Sequence, residues 1–237
     1  MYKIGDNNQG GMIIQGRSGV LSAFMNRVYM LMSVALVLTG ASAYYVSVTP
    51  SVQQAIFGSG LVWGLVVATL LLVVVLSGAI NKMSPTMAML AFVAYSLLNG
   101  LMLSSLFIIY TQESIASVFF ICAATFFALS IYGTFTKRDL TGLGGFMKVG
   151  LVGLIIASIA NMFLQMPSIY WMTSYVGVAV FAGLIAYDTQ KLKDMAGELD
   201  GQGSDMIARY SIIGALQLYL DFVNLFIYLL RIFGRRK

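Results

Sequence analysis

The chain has 237 residues, 59% of them hydrophobic and only 10% charged, so it lacks the polar coat of a soluble domain, where about a quarter of residues are charged. There is no His, and Cys122 is the single cysteine, which excludes imidazole chemistry, an internal disulfide and a Cys-cluster metal site. The net charge of +5 sits in short clusters between apolar runs, a pattern that reports membrane topology and not nucleic-acid binding.

Residues 1–16 are polar and Gly-rich and have no apolar core for a signal peptide. The division expected is a polar cytoplasmic N-terminal segment, 1–24, and one transmembrane domain, 25–237. A spanning helix needs about 20 mostly apolar residues. Seven runs qualify: 27–47, 60–80, 85–109, 114–134, 147–164, 170–188 and 207–230. Pro85 suits the first turn of the third helix, with Ser84 as its cap. Cys122 lies inside the fourth run, where a packed, inert thiol is expected. Gly142, Gly144 and Gly145 follow no strand, so they form no phosphate cradle.

Lys and Arg mark the cytoplasmic side of a membrane protein. They occur at Lys3, Arg17 and Arg27, at Lys82, at Lys137, Arg138 and Lys148, and at Lys191, Lys193 and Arg209. The alternate loops, 48–57, 110–113 and 165–169, contain none. The N-terminus is therefore expected in the cytoplasm. The tail disagrees, because Arg231, Arg235, Arg236 and Lys237 would lie outside after seven crossings. A re-entrant last segment would return the tail to the cytoplasm. A full span is favoured, since 24 residues at about 1.5 Å each reach about 36 Å.

Small residues at helix-packing spacing, Gly60 with Gly64, Gly40 with Ala43 and Ala179 with Gly183, read as sites of close helix contact. Two acids lie in the last two runs. Asp221 sits in the middle of the seventh, and its neighbours at steps of three and four are Ser211, Gly214, Gln217, Asn224 and Tyr228. Those steps make one polar stripe on a helix. The stripe must face protein or water, so the last helix is expected at the centre of the bundle. Gln217, Asn224 and Tyr228 are then candidate pore-lining groups. The alternative is a protonated Asp221 acting only as packing glue. Asp188 ends the sixth run, three residues before Lys191; an exposed pair there would contribute only about 0.5 kcal/mol.

The two acids can meet if the sixth helix continues to Leu199 and turns at 201–203. Their depths then differ by about 7 Å at 1.5 Å per residue, within reach of side chains and tilt. Two carboxyls in contact share one proton. Protonated, the pair would latch two helices together; deprotonated, it would repel or accept a cation. Ca²⁺ prefers six to eight oxygens, so Asp188 and Asp221 would be a transient Ca²⁺ site for transit or gating, with no resident cofactor.

The stretches FVAYSLLNGLMLSSLFIIY, ALSIYGTFTKRDLTGLGGFMKVGLVGLIIA, LIAYDTQKLK and GALQLYLDFVNLFIYLLRIF resemble the Bax inhibitor-1 family in its bacterial inner-membrane branch. The likeness runs from about Arg27 through the chain, and YGTFTKRDL and LYLDFVNLF are its most specific parts. It implies an all-α membrane protein, a seven-transmembrane-helix bundle with the last helix central. It also implies a pH-sensitive Ca²⁺ leak controlled by an acidic pair, which maps to Asp188 and Asp221. Two departures are visible: the second run has no acid, and 189–207 reads as a long loop. Other relatives implied by the resemblance regulate a membrane protease or cell survival without transport. The expected partners are the lipid bilayer, Ca²⁺ or H⁺, and other membrane proteins such as a membrane protease. An intramembrane aspartyl protease would place its second Asp after Gly-x-Gly; here Leu218, Tyr219 and Leu220 precede Asp221, so no enzyme is expected.

Overall fold

The computed structural model describes residues 7–199 and 201–237, apart from the side chains of 7–18 and 20. Lys3 and the side chain of Arg17, both assigned to the cytoplasmic charge clusters, lie outside the described residues, as does part of the segment 1–24. The described chain is helical, with seven helices long and apolar enough to cross a membrane. They are α1 (Asn7–Ser47), α2 (Leu61–Ala79), α3 (Pro85–Ile109), α4 (Gln112–Phe135), α5 (Thr141–Leu164), α6 (Pro167–Glu198) and α7 (Ser204–Phe233). A short helical turn, Pro50–Gln53, and a wider one, Gln54–Gly58, join α1 to α2.

The ends follow local chemistry. All three prolines open helices, where a missing N–H costs no hydrogen bond. Ser84 caps α3 by accepting a bond from Met87 N, and Thr111 caps α4 by accepting one from Ser114 N. Three boundaries differ from the sequence reading. The first helix is already formed at Asn7, well before the apolar run at 27. The fifth begins at Thr141 and not near Met147. There Asp139 accepts the Thr141 N–H and Gln190 accepts the Leu140 N–H. The exposed Asp139 carboxyl is held below its ordinary range by the Thr141 side chain and backbone N–H. The supposed long loop 189–207 is mostly helix, since α6 runs to Glu198 and α7 starts at Ser204. The turn between them uses Gly201, whose φ of 82° belongs to the left-handed region that favours glycine.

The last helix crosses completely. The tail beyond it docks on the α3–α4 corner: Lys237 N donates to Ile109 O at 2.9 Å, Thr111 N donates to Arg235 O at 3.0 Å, and Arg235 N donates to the Ser114 hydroxyl at 2.9 Å. The re-entrant alternative is thereby removed. Arg231, Arg235, Arg236 and Lys237 lie at the end that carries the non-basic loops, opposite to Lys82, Lys137 and Lys191.

The seventh helix packs against α1, α3, α4 and α6. Of its most apolar 18-residue window, 61% is buried, against 11% for α2 and α5. Those two helices flank the bundle, α2 on α3 and α5 on α6, and turn Trp63, Leu71, Val74, Phe146, Ile156 and Phe163 outward. An outer surface of this kind fits lipid as its solvent. Cys122 is fully buried, with its thiol 3.6 Å from Phe222 O on α7.

The close helix contacts fall only in part where small-residue spacing placed them. Gly40, Gly60 and Gly64 face open space, and Gly183 meets only the Met147 side chain. The tight crossings are at Gly100, where a Cβ would overlap the Thr39 carbonyl at 2.4 Å, and at Gly133, where it would overlap the Ala186 carbonyl at 2.3 Å. Backbone cannot give way as a side-chain tip can. Gly133→Val therefore lowers stability by about 1–3 kcal/mol or more, read as a lower melting temperature of the detergent-solubilised protein. Gly153→Ala, which meets nothing within 4 Å, leaves it unchanged.

Candidate functional site

The site lies between α6 and α7. The α7 stripe faces α6 along its length. Gly214 lies under the Leu192 side chain, and Tyr228 stacks on Phe181 at 5.8 Å and lies against Gly177. Midway between these contacts the Asp221 and Asp188 carboxyl groups come close enough to act directly on each other. Both are buried, at 5% and 9% exposure. That approach closes the offset in depth that simple counting along two antiparallel helices gives.

A hydrogen bond between carboxyls exists only while one of them holds a proton. Lys191 and Lys148 act on Asp188 through space. The direct side-chain partner of Asp188 is thus Asp221, and not the Lys191 of a surface ion pair. The second Asp221 oxygen, Oδ2, is buried without a partner, as is Gln217 Oε1 one turn earlier on the same stripe. Two orphaned acceptors a turn apart on one face are costly in low dielectric, and they are the natural ligands of a proton, a water or a cation.

The other stripe residues have different neighbours. Ser211 and Asn224 turn their side chains back on α7, donating to Ile207 O and Leu220 O. Tyr228 is half-buried and lies beneath the Arg231 guanidinium at 5.1 Å. Leu192 meets Gly214 on one side of the acids and Phe181 meets Tyr228 on the other, so packed side chains flank the pair. Among the described residues no cluster of three or more His, Cys, Asp or Glu could hold a metal ion.

Sequence reasoning missed a second polar cluster on the opposite face of α7. Asn99 donates to the Tyr219 hydroxyl at 2.8 Å, Tyr219 meets Thr39 at 2.7 Å, and Thr39 donates to Ser96 O at 2.9 Å. The chain ties α1, α3 and α7 together and turns the Tyr219 hydroxyl away from the acids. Its signal in the sequence was three isolated polar groups in three apolar runs, residues that in lipid must find one another. Tyr219 itself is fully buried and meets Phe92 and Tyr95 edge-on.

Seven spanning helices with a buried acid pair define an integral, multi-pass membrane protein. The chain belongs to the Bax inhibitor-1 family: the family described as "Inhibitor of apoptosis-promoting Bax1" matches residues 21–237. It is 46% identical over 226 residues to Inner membrane protein YbhL of Escherichia coli (strain K12), covering 95% of this chain and 96% of that protein. It is 42% identical over 218 residues to Uncharacterized protein RP147 of Rickettsia prowazekii (strain Madrid E), covering 92% of this chain and 91% of that one. It is 40% identical over 231 residues to Uncharacterized protein YrjE of Lactococcus lactis subsp. lactis (strain IL1403), covering 96% and 97%.

Tyr219→Phe leaves the Asn99 amide without its acceptor. We expect a loss of about 1 kcal/mol, seen in denaturant titration of the micellar protein, with the α6–α7 contact unaffected.

Proposed function

We propose that this protein is a pH-responsive cation leak of a bacterial inner membrane, with Ca²⁺ as the permeant ion and the Asp188–Asp221 pair as its gate. The observation that carries this reading is the direct carboxyl–carboxyl contact, closed on both sides by packed side chains. While one proton is shared, the pair holds α6 against α7. When that proton leaves, two like charges remain in a dry interface, where repulsion is strong. The helices then separate or take a cation between the carboxylates. Asp221 Oδ2 and Gln217 Oε1, both lacking partners, supply oxygens to such an ion as it passes. In this reading α7 is the central helix, and its stripe from Gln217 through Asn224 to Tyr228 lines the path once the contacts at Gly214 and Tyr228 loosen. The reading includes no catalytic step.

The basic loop clusters support an N-terminus in the cytoplasm, and the name of the Escherichia coli relative supports the inner membrane. The tail then faces the outer side.

The test is Ca²⁺ flux into proteoliposomes carrying an internal indicator. Flux should rise with pH as the pair loses its proton. Asp221→Asn keeps a neutral hydrogen-bonding group there and should hold flux near the level of empty liposomes at every pH. Flux from the native protein no greater than from protein-free liposomes would sink the leak. Activity in cells retained under that result, and in Asp221→Asn, would favour a non-transporting regulator of a membrane protease or of cell survival.

A further inference from the structure

The basic tail at the non-basic end has an unusual setting. A cleft of about 600 Å³ lies between the α5–α6 corner and the end of α7, lined by Asn161, Gln165, Tyr170, Trp171, Arg231 and Arg236 among others. Its two guanidiniums are held in place from behind. Arg231 lies over the Tyr170 ring at 5.5 Å and the Tyr228 ring at 5.1 Å; Arg236 donates to the Tyr170 hydroxyl at 3.2 Å. The backbone bonds of Arg235 and Lys237 to the α3–α4 corner fix the tail. Gly234 makes that docking possible, because a Cβ there would strike the Tyr110 ring. No carboxylate lines the cleft. The acid of this end, Glu113, lines a separate cleft with Arg235.

Two fixed guanidiniums without a carboxylate are an unfilled anion site, since planar forks of N–H donors match the paired oxygens of phosphate. The rings cover the guanidinium faces, and although Arg236 spends one N–H on Tyr170, the other edges, with those of Arg231, point to donors for a ligand. The carboxamides of Asn161 and Gln165 line the same space. The first turn of α6, which opens at Pro167 and holds no acid, adds the positive end of a 32-residue helix. Around the mouth, Met166, Trp171 and Tyr175 are exposed, as residues at the headgroup level of a bilayer are.

We propose that Arg231 and Arg236 bind a phosphate-bearing anion in this cleft, the headgroup of an anionic phospholipid in the leaflet facing the tail. The site is independent of the acid-pair gate. The phosphate bridges the end of α7 to the α5–α6 corner, so occupancy clamps the last helix at its outer end.

Full-length protein in phosphatidylcholine nanodiscs, with and without phosphatidylglycerol, tests this by native mass spectrometry and melting temperature. The variant is Arg231→Gln/Arg236→Gln. The comparison is Lys137→Gln/Arg138→Gln, which removes the same charge from exposed side chains at the other end. The native protein and the comparison should retain phosphatidylglycerol and melt higher with it. The cleft variant should bind it on the order of tenfold or more weakly, with its melting temperature in pure phosphatidylcholine near native. If the double variant does not fold, Arg236→Gln alone, at an exposed side chain, gives the same reading. Inorganic phosphate alone forms the second arm: stabilisation by it, lost in the cleft variant, keeps the site and assigns it to soluble phosphate. Equal phosphatidylglycerol binding by both double variants, with no effect of inorganic phosphate, overturns the proposal.

Discussion

A carboxyl group carried into hydrocarbon has no water to turn to, so it must be neutral, paired or both. Asp221 answers this constraint by meeting Asp188, and much else follows from that contact. It sets the register of α6 against α7. Gly214 lies under Leu192 and Tyr228 against Gly177 and Phe181 on either side of it, at antiparallel offsets within about one helical turn of the acid pair's. It also sets the rotation of α7. With Asp221 turned to α6, Tyr219 must point the opposite way, toward α1 and α3, where Asn99 and Thr39 receive it. One helix therefore carries two polar faces, each satisfied by different partners.

The two faces differ in character. The Asn99–Tyr219–Thr39–Ser96 chain places each of these donors on an acceptor and ties three helices together. The acid pair is left incomplete, with Asp221 Oδ2 and Gln217 Oε1 unpartnered. A complete network resists change, whereas an incomplete one gains by taking up a proton, a water or an ion. Satisfied and unsatisfied polar groups are thus divided between opposite sides of one helix. Lipid-facing α2 and α5 share in neither and serve mainly to cover α3 and α6.

The ends of the bundle are treated differently as well. Gln190 ties the α4–α5 loop to α6, and Arg209 donates to the carbonyls of Asn81 and Met83, so at the end bearing most basic loops the polar side chains are spent on backbone. At the other end the tail arginines are held by aromatic rings and keep donor edges free. Burial and the hydrogen bond to Tyr170 push the Tyr110 phenol above its ordinary range. It stays neutral beside Arg236, and the positive charge there stays uncompensated.

By itself the sequence determined the properties that depend on one segment at a time. The seven apolar runs, the opening of α3 at Pro85 under Ser84 and the polar stripe around Asp221 are local consequences of hydrophobicity and helical period, and the quoted stretches carried the family. It misjudged what depends on neighbours. Gly142, Gly144 and Gly145 looked like a loop, yet Gly144 is helical and lies against the Tyr187 ring. The pairing Gly60 with Gly64 looked like a helix contact, while the tight crossings fell at Gly100 and Gly133, whose importance lies in another helix's carbonyl. Only the tertiary structure decided that Asp188 meets Asp221, that Tyr219 turns away from them and that the tail folds back on Tyr110 and Tyr170. Each joins residues far apart in the chain, and periodicity within a helix says which face is polar but not what that face meets.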